Sequence, residues 1–173
     1  MGAVVPTWSM RALTSQDTEW LVALKEAAMR PDLERLGVWD SRRSRRRLLE
    51  ELVPASTWLV LVADHPVGSV ALRPEQDEDW LQHFYVLPEL QGRGLGGAVR
   101  RDLLVRRDRG DAARPVRLLA VRGSAALRLY ARHGFSRDRD HENGIDVVLS
   151  RPPTSCPTTI GTRPSAPTLQ LSD

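Results

Sequence analysis

Residues 83–101 read His83-Phe84-Tyr85-Val86-Leu87-Pro88-Glu89-Leu90-Gln91-Gly92-Arg93-Gly94-Leu95-Gly96-Gly97-Ala98-Val99-Arg100-Arg101. The apolar run from Leu81 to Leu87, broken by Gln82 and His83, is rich in β-forming residues and stops at Pro88, which predicts a strand and then a turn. Glycines follow at 92, 94, 96 and 97. Directly behind them Leu95, Ala98, Val99 and Leu103 fall on one helical face. Glycine lets a backbone approach a ligand closely, and a helix start offers unpaired N–H groups at the positive end of its dipole. Strand, glycine turn and helix start together suit a phosphate or pyrophosphate.

Upstream, Trp8–Leu13 predicts a short strand, with Thr14 and Asp17 as the N-cap and first-turn acid of a helix. Leu21, Leu24 and Ala28 mark that helix's buried face, and Pro31 predicts its end. A second helix is expected from an N-cap at Ser41 to Leu52. Thr57–Ala63 and Val67–Leu72 read as a hairpin joined by the polar turn Asp64–Pro66. Downstream, Val116–Val121 is a strand, Ser124 is a candidate N-cap for a helix carrying Ala126, Leu127 and Tyr130, Gly134 closes that helix, and Ile145–Leu149 is the last strand. From Arg151 the chain is rich in Pro, Ser and Thr without apolar periodicity. One domain over 1–150 and a disordered tail over 151–173 are therefore expected.

The 173 residues are 41% hydrophobic, enough for one ordinary core. Among 25 basic and 22 acidic residues Lys25 is the only lysine; the arginines are compatible with an anionic ligand. The single cysteine, Cys156, lies in the tail, which excludes an intrachain disulfide and a cysteine metal cluster. No metal site is expected. Neither a signal segment nor an 18-residue apolar run occurs, so a soluble cytoplasmic protein without membrane contact is expected. The cluster Arg42, Arg43, Arg45, Arg46 and Arg47 raises nucleic-acid binding as an alternative, but no aromatic residue interleaves it and a solvated helix face is the simpler reading.

Three phosphate-loop readings compete. Gly92, Gly94 and Gly97 fit the dinucleotide pattern G-x-G-x-x-G with Asp111 downstream, yet Leu87–Gln91 separates them from the strand and too little chain follows for repeated βαβ units. A nucleotide-hydrolase loop needs Gly-Lys-Ser/Thr, and Ala98 follows Gly97. Third, Gln91-Gly92-Arg93-Gly94-Leu95-Gly96 matches the acyl-CoA loop Q/R-x-x-G-x-G/A. About 35 residues later Ala126–Phe135 (ALRLYARHGF) matches A-x-x-L-Y-x-x-x-G-F. The sequence resembles the GNAT (Gcn5-related) N-acetyltransferases from roughly Met10 to Ser150.

The resemblance implies an α/β domain whose mixed, mostly antiparallel central sheet is flanked by helices, using acetyl-CoA as co-substrate and an amine as acceptor, as a monomer or homodimer. It implies that backbone N–H groups from Gln91 through Gly92, Arg93, Gly94, Leu95 and Gly96 to Gly97 meet the pyrophosphate of CoA, and that Phe84, Tyr85 and Val86 line a splayed strand whose backbone pairs with the pantetheine arm. It places Tyr130 as general acid. The candidate base is His83, which strand alternation sets on one face with Leu81 and Tyr85; a satisfied structural histidine there, or Asp79 or Glu75 acting through water as the base, are the alternatives. Many members carry Asn where this chain has Gly123, so Ser124 is expected to substitute as a cap or hydroxyl donor. A module that binds acyl-CoA without chemistry is the other alternative. The identity of the amine is not legible.

Overall fold

The computed structural model describes residues 5–111 and 114–153; Cys156 and the tail beyond Pro153 lie outside the described residues. Strand β1 (Trp8–Ala12) leads into a 3-10 turn at Ser15–Asp17, helix α1 (Thr18–Arg35) and helix α2 (Ser41–Glu51). Strands β2 (Thr57–Val62), β3 (His65–Pro74) and β4 (Asp79–Val86) form a meander. Helix α3 (Leu95–Asp111) crosses over to β5 (Val116–Val121), and helix α4 (Ala126–Ala131) precedes β6 (Ser136–Asp140) and β7 (Asp146–Arg151). The seven strands lie in the order β1-β2-β3-β4-β5-β7-β6. Only β4 and β5 run parallel, and that pairing needs a crossover, which α3 supplies. The mixed, mostly antiparallel sheet flanked by helices is the expected architecture.

Alternation in the strands sorts apolar residues onto two faces. Leu95, Val99, Leu103 and Leu104 of α3 pack with Val60, Leu81, Val86 and Leu118, and with Tyr130 and Phe135. On the other face Leu21, Leu24 and Leu48 of α1 and α2 pack with Leu59 and Leu61. Each fully buried leucine contributes about 1.5–3 kcal/mol, so these stripes hold the helices on the sheet.

Several local expectations change. Helix α1 runs through Pro31 to Arg35 instead of ending at Pro31. Pro31 and Ala27 are both exposed, so water can serve the carbonyl that proline leaves unpaired. Arg30 to Glu34 (2.7 Å) and Arg35 to Asp32 (3.3 Å) then tie the last turns together. Asp40, not Ser41, caps α2, its carboxylate accepting from the Arg43 N–H at 2.9 Å. The hairpin turn is Ala63-Asp64, both left-handed (φ 48 and 64), the pairing that suits a two-residue loop. Strand β6 was not expected. All five of its residues are exposed, and its charges suit a sheet edge.

The feature that shapes the site is a bulge in β4. Ser69 pairs with Tyr85 and Ala71 with Gln82, so Val70 faces two residues, His83 and Phe84. His83 takes φ 47, and the buried Ser69 hydroxyl donates to its carbonyl at 2.6 Å. An extra residue bends a strand and increases its twist. Parallel pairing with β5 accordingly covers only Asp79–Leu81 against Val116–Leu118; beyond it the two strands part. The bulge also breaks the expected alternation. Leu81 packs on the α3 side whereas Tyr85 packs on the α1/α2 side.

Candidate active site

The parted ends of β4 and β5 open a wedge with the glycine turn at one rim. Gly92 and Gly94 have φ of 72 and 85, a region that costs a residue with a Cβ about 1–2 kcal/mol. Their conformation carries the chain from the 3-10 turn at Pro88–Leu90 into α3, where the Gly94 carbonyl accepts from Ala98 N–H at 3.0 Å. Arg93 is exposed beside them. The first free N–H groups of α3 therefore face outward at a positively polarised helix end. Gln91 turns inward, its side-chain amide donating to the Val86 carbonyl at 2.8 Å. The Val86 carbonyl thus already has a partner within the chain, which leaves Phe84 and the bulge as the more open part of the strand edge.

Phe84 and Val86 point toward α3, their side chains 3.5 and 3.8 Å from where a Gly96 Cβ would stand. Tyr85 points the other way. Its phenol is pushed up by burial and by Glu51, and it also senses Tyr130.

Tyr130 is buried at the end of α4, its ring edge-on to Phe135 with centroids 5.7 Å apart. Burial pushes its hydroxyl up to about 12, against a lowering by Arg100, whose guanidinium carbon lies 5.2 Å from the ring centroid. The phenol is thus protonated at neutral pH and able to donate. Ser124 does not cap α4, whose N-cap is Ala125. Its hydroxyl is buried without a hydrogen-bond partner. The Arg35 guanidinium lies 3.4 Å from where a Gly123 Cβ would be and donates to the Arg122 carbonyl at 2.9 Å. It occupies the place where a longer side chain at 123 would project.

His83 faces the α1/α2 side. Burial lowers its pKa, Glu51 opposes that by charge and through a backbone hydrogen bond, and Lys25 and Arg47 reinforce it. Its Nε2 is buried and has no hydrogen-bond partner. Around it stand groups that the sequence reading did not single out. Lys25 is buried and donates to the Ser44 carbonyl at 2.9 Å; burial brings its pKa down to about 8. Arg47 bridges Glu51 at 2.8 Å and Asp146 at 3.7 Å. The one available signal was Lys25, a lone cation four residues after Leu21 on the apolar face of α1.

The alternative bases lie elsewhere. Asp79 is held at the closed end of the wedge by Arg107 at 2.7 Å and Arg114 at 3.0 Å, and Glu75 pairs with Arg73 in the loop before β4. In the arginine helix Arg45 pairs with Glu19 at 2.5 Å, Arg46 with Glu50 at 3.8 Å, and Arg47 as above. Three of the helix's five arginines are thus engaged by carboxylates of this chain. Among the described residues there is no cluster that could hold a metal ion and no helix long and apolar enough to cross a membrane.

Residues 54–137, from the turn before β2 to the start of β6, match the family model described as acetyltransferase (GNAT) domain. This chain carries a GNAT domain. Solved structures agree at the level of fold. The PaiA N-acetyltransferase of Thermoplasma acidophilum, in complex with coenzyme A, is 17% identical, covering 84% of this chain and 99% of its own, with a TM-score of 0.66. The ribosomal-protein-S18-alanine N-acetyltransferase of Escherichia coli is 16% identical over 89% of this chain and 99% of its own, with a TM-score of 0.63. N-acetylglutamate synthase of Neisseria gonorrhoeae, complexed with coenzyme A and N-acetyl-glutamate, is 21% identical over 86% of this GNAT chain and 36% of its own, with a TM-score of 0.61. No curated protein matches the sequence.

Proposed function

We propose that this GNAT protein is an acetyl-CoA-dependent N-acetyltransferase that works by direct attack of an amine on the bound thioester. The observation that carries the reading is the wedge itself: a glycine turn at its rim, Tyr130 on one face, His83 on the other, and buried polar atoms on both faces that have no hydrogen-bond partner among the described residues. Buried polar groups are seldom left unpaired, so the unpaired Ser124 hydroxyl and His83 Nε2 fit a polar, extended ligand such as pantetheine carrying its thioester.

In this reading the backbone from Gly92 to Gly97 holds the pyrophosphate, and Ser124 and the bulged backbone at Phe84 fix the arm. Nε2 of His83, buried with no hydrogen-bond partner among the described residues, carries the lone pair in this reading and takes the proton of the attacking amine, directly or through one water. The new N–C bond forms as the C–S bond breaks. Tyr130 donates its hydroxyl proton to the departing sulfur. A phenol near 12 is a weaker acid than an ordinary thiol, but the same dry wedge raises the thiolate's basicity as well, which narrows the gap.

The test is release of free thiol from acetyl-CoA over a panel of small-molecule and peptide amines, with Tyr130→Phe as the control. One or more amines should support turnover, and the variant should lose about 10²–10³ in kcat with little change in the acetyl-CoA KM. Wild-type turnover that Tyr130→Phe leaves intact would remove the tyrosine from the mechanism. Tight acetyl-CoA binding without turnover on any amine would favour a binding module.

A further inference from the structure

Helix α3 buries a charge, at Arg100, that no described residue answers with a hydrogen bond. Arg100 has no exposed surface, and none of its three guanidinium nitrogens has a hydrogen-bond partner. Arg107, seven residues along the same helix and almost as buried, is held by Asp79 at 2.7 Å and Asp108 at 2.9 Å. The fold therefore pairs one buried arginine of this helix and leaves the other open. Burial brings Arg100 down to about 10, so it remains a cation at neutral pH. The stacking on Tyr130 offsets only part of the cost of burying a lone cation. An anion brought by a ligand would supply the rest.

Its position says which part of a ligand that is. Gly92–Gly94 and Arg93 are exposed, and in the reading above this turn takes the phosphates at the start of α3. Arg100 lies one turn further in, three residues past Gly97 and four past Gly96, and its guanidinium carbon stands 5.2 Å from the ring centroid of Tyr130, the residue that meets the departing sulfur in the reading above. Resting on the acyl-CoA reading above, we propose that Arg100 receives a carboxylate at the far end of the acyl group, so that CoA thioesters of short dicarboxylic acids, the malonyl and succinyl class, are preferred donors. The transfer is the same. The amide N–C bond forms, C–S breaks, His83 takes the amine proton, Tyr130 supplies the thiol proton, and the distal carboxylate passes unchanged into the product. No further reactant is needed.

Calorimetric titration of the full chain with free CoA, acetyl-CoA and succinyl-CoA, repeated on Arg100→Met and Arg100→Lys, tests this. Wild type should bind succinyl-CoA at least about tenfold more tightly than acetyl-CoA. That ratio should collapse toward one in Arg100→Met and be partly restored in Arg100→Lys, whose retained charge also serves should the methionine variant fold poorly. Equal affinities for the two thioesters in wild type would overturn the proposal. So would equal weakening of all three ligands in Arg100→Met, which would assign the cation to the phosphates. Failure of wild type to bind free CoA would instead overturn the acyl-CoA reading beneath it, so the two failures are told apart.

Discussion

Replacing Gly68 with alanine tests whether the bulge and its packing build the wedge. Gly68 sits in β3 opposite Val86, and a Cβ there would stand 2.7 Å from the Tyr85 carbonyl oxygen, 3.5 Å from Val60 Cβ and 3.6 Å from Val86 Cα. Reaching an ordinary contact of about 3.4 Å requires the strands to part by roughly 0.7 Å. None of these atoms is the far end of a flexible side chain, so the backbone itself must yield. Overpacking of this kind costs about 1–3 kcal/mol, which for a domain of this size lowers Tm by about 2–4 °C per kcal/mol. Because the clash falls on the carbonyl two residues past His83, the variant should also weaken acetyl-CoA binding. Gly37→Ala is the matched control. Gly37 has φ 69 with nothing within 4 Å of its Cβ, so it should lose about 1–2 kcal/mol of stability through backbone strain alone and keep its affinity. Thermal denaturation and acetyl-CoA titration of both variants decide it. A Gly68→Ala protein with wild-type Tm and affinity would refute the packing argument.

His83, neutral above a pKa lowered from its usual value by burial, should keep kcat/KM flat down to below pH 6.5, with an acid limb beneath; His83→Gln should lower the plateau and abolish that limb in a pH-rate profile. Lys25 is lowered to about 8 by burial, with Glu51 and Asp146 opposing and Arg47 reinforcing that effect. Between about 8 and its unfolded value near 10.4 the unfolded chain binds more protons, so this group's contribution to stability rises with pH. Denaturant melts of wild type and Lys25→Met should converge or cross as pH increases from 8 to 10; a difference independent of pH would show that Lys25 does not titrate there.

The strand, glycine turn and helix around Gly94 were legible because each carries a local mark: a β-rich run ended by proline, clustered glycines, an apolar stripe of period 3.6. The position of Tyr130 followed from its resemblance to a known segment, and the structure sets it beside the wedge. The bulge was not legible, since one extra residue inside an apolar run leaves composition and length unchanged, and it is what moves Leu81 to the face opposite Tyr85. Strand β6 was missed because Ser136–Asp140 buries nothing, so its pairing with β7 rests on backbone bonds that no side-chain pattern announces. Pro31 misled because its effect on a helix depends on whether the freed carbonyl can reach water, a property of tertiary placement. Arg100 left a readable trace as a charge three and four residues before Leu103 and Leu104, but only the structure reveals that its guanidinium has no hydrogen-bond partner among the described residues.

The most direct test of the central claim is a calorimetric titration of the full chain with acetyl-CoA and, separately, NADH, repeated on Gly94→Glu. At φ 85 a side chain is strained, its Cβ would approach Val5 Cγ2 to 3.1 Å, and the added carboxylate would oppose a pyrophosphate. The account predicts acetyl-CoA affinity in the micromolar range in wild type, its loss in the variant, and no heat with NADH. Wild-type protein that binds NADH, or that gives no signal with acetyl-CoA, would contradict it.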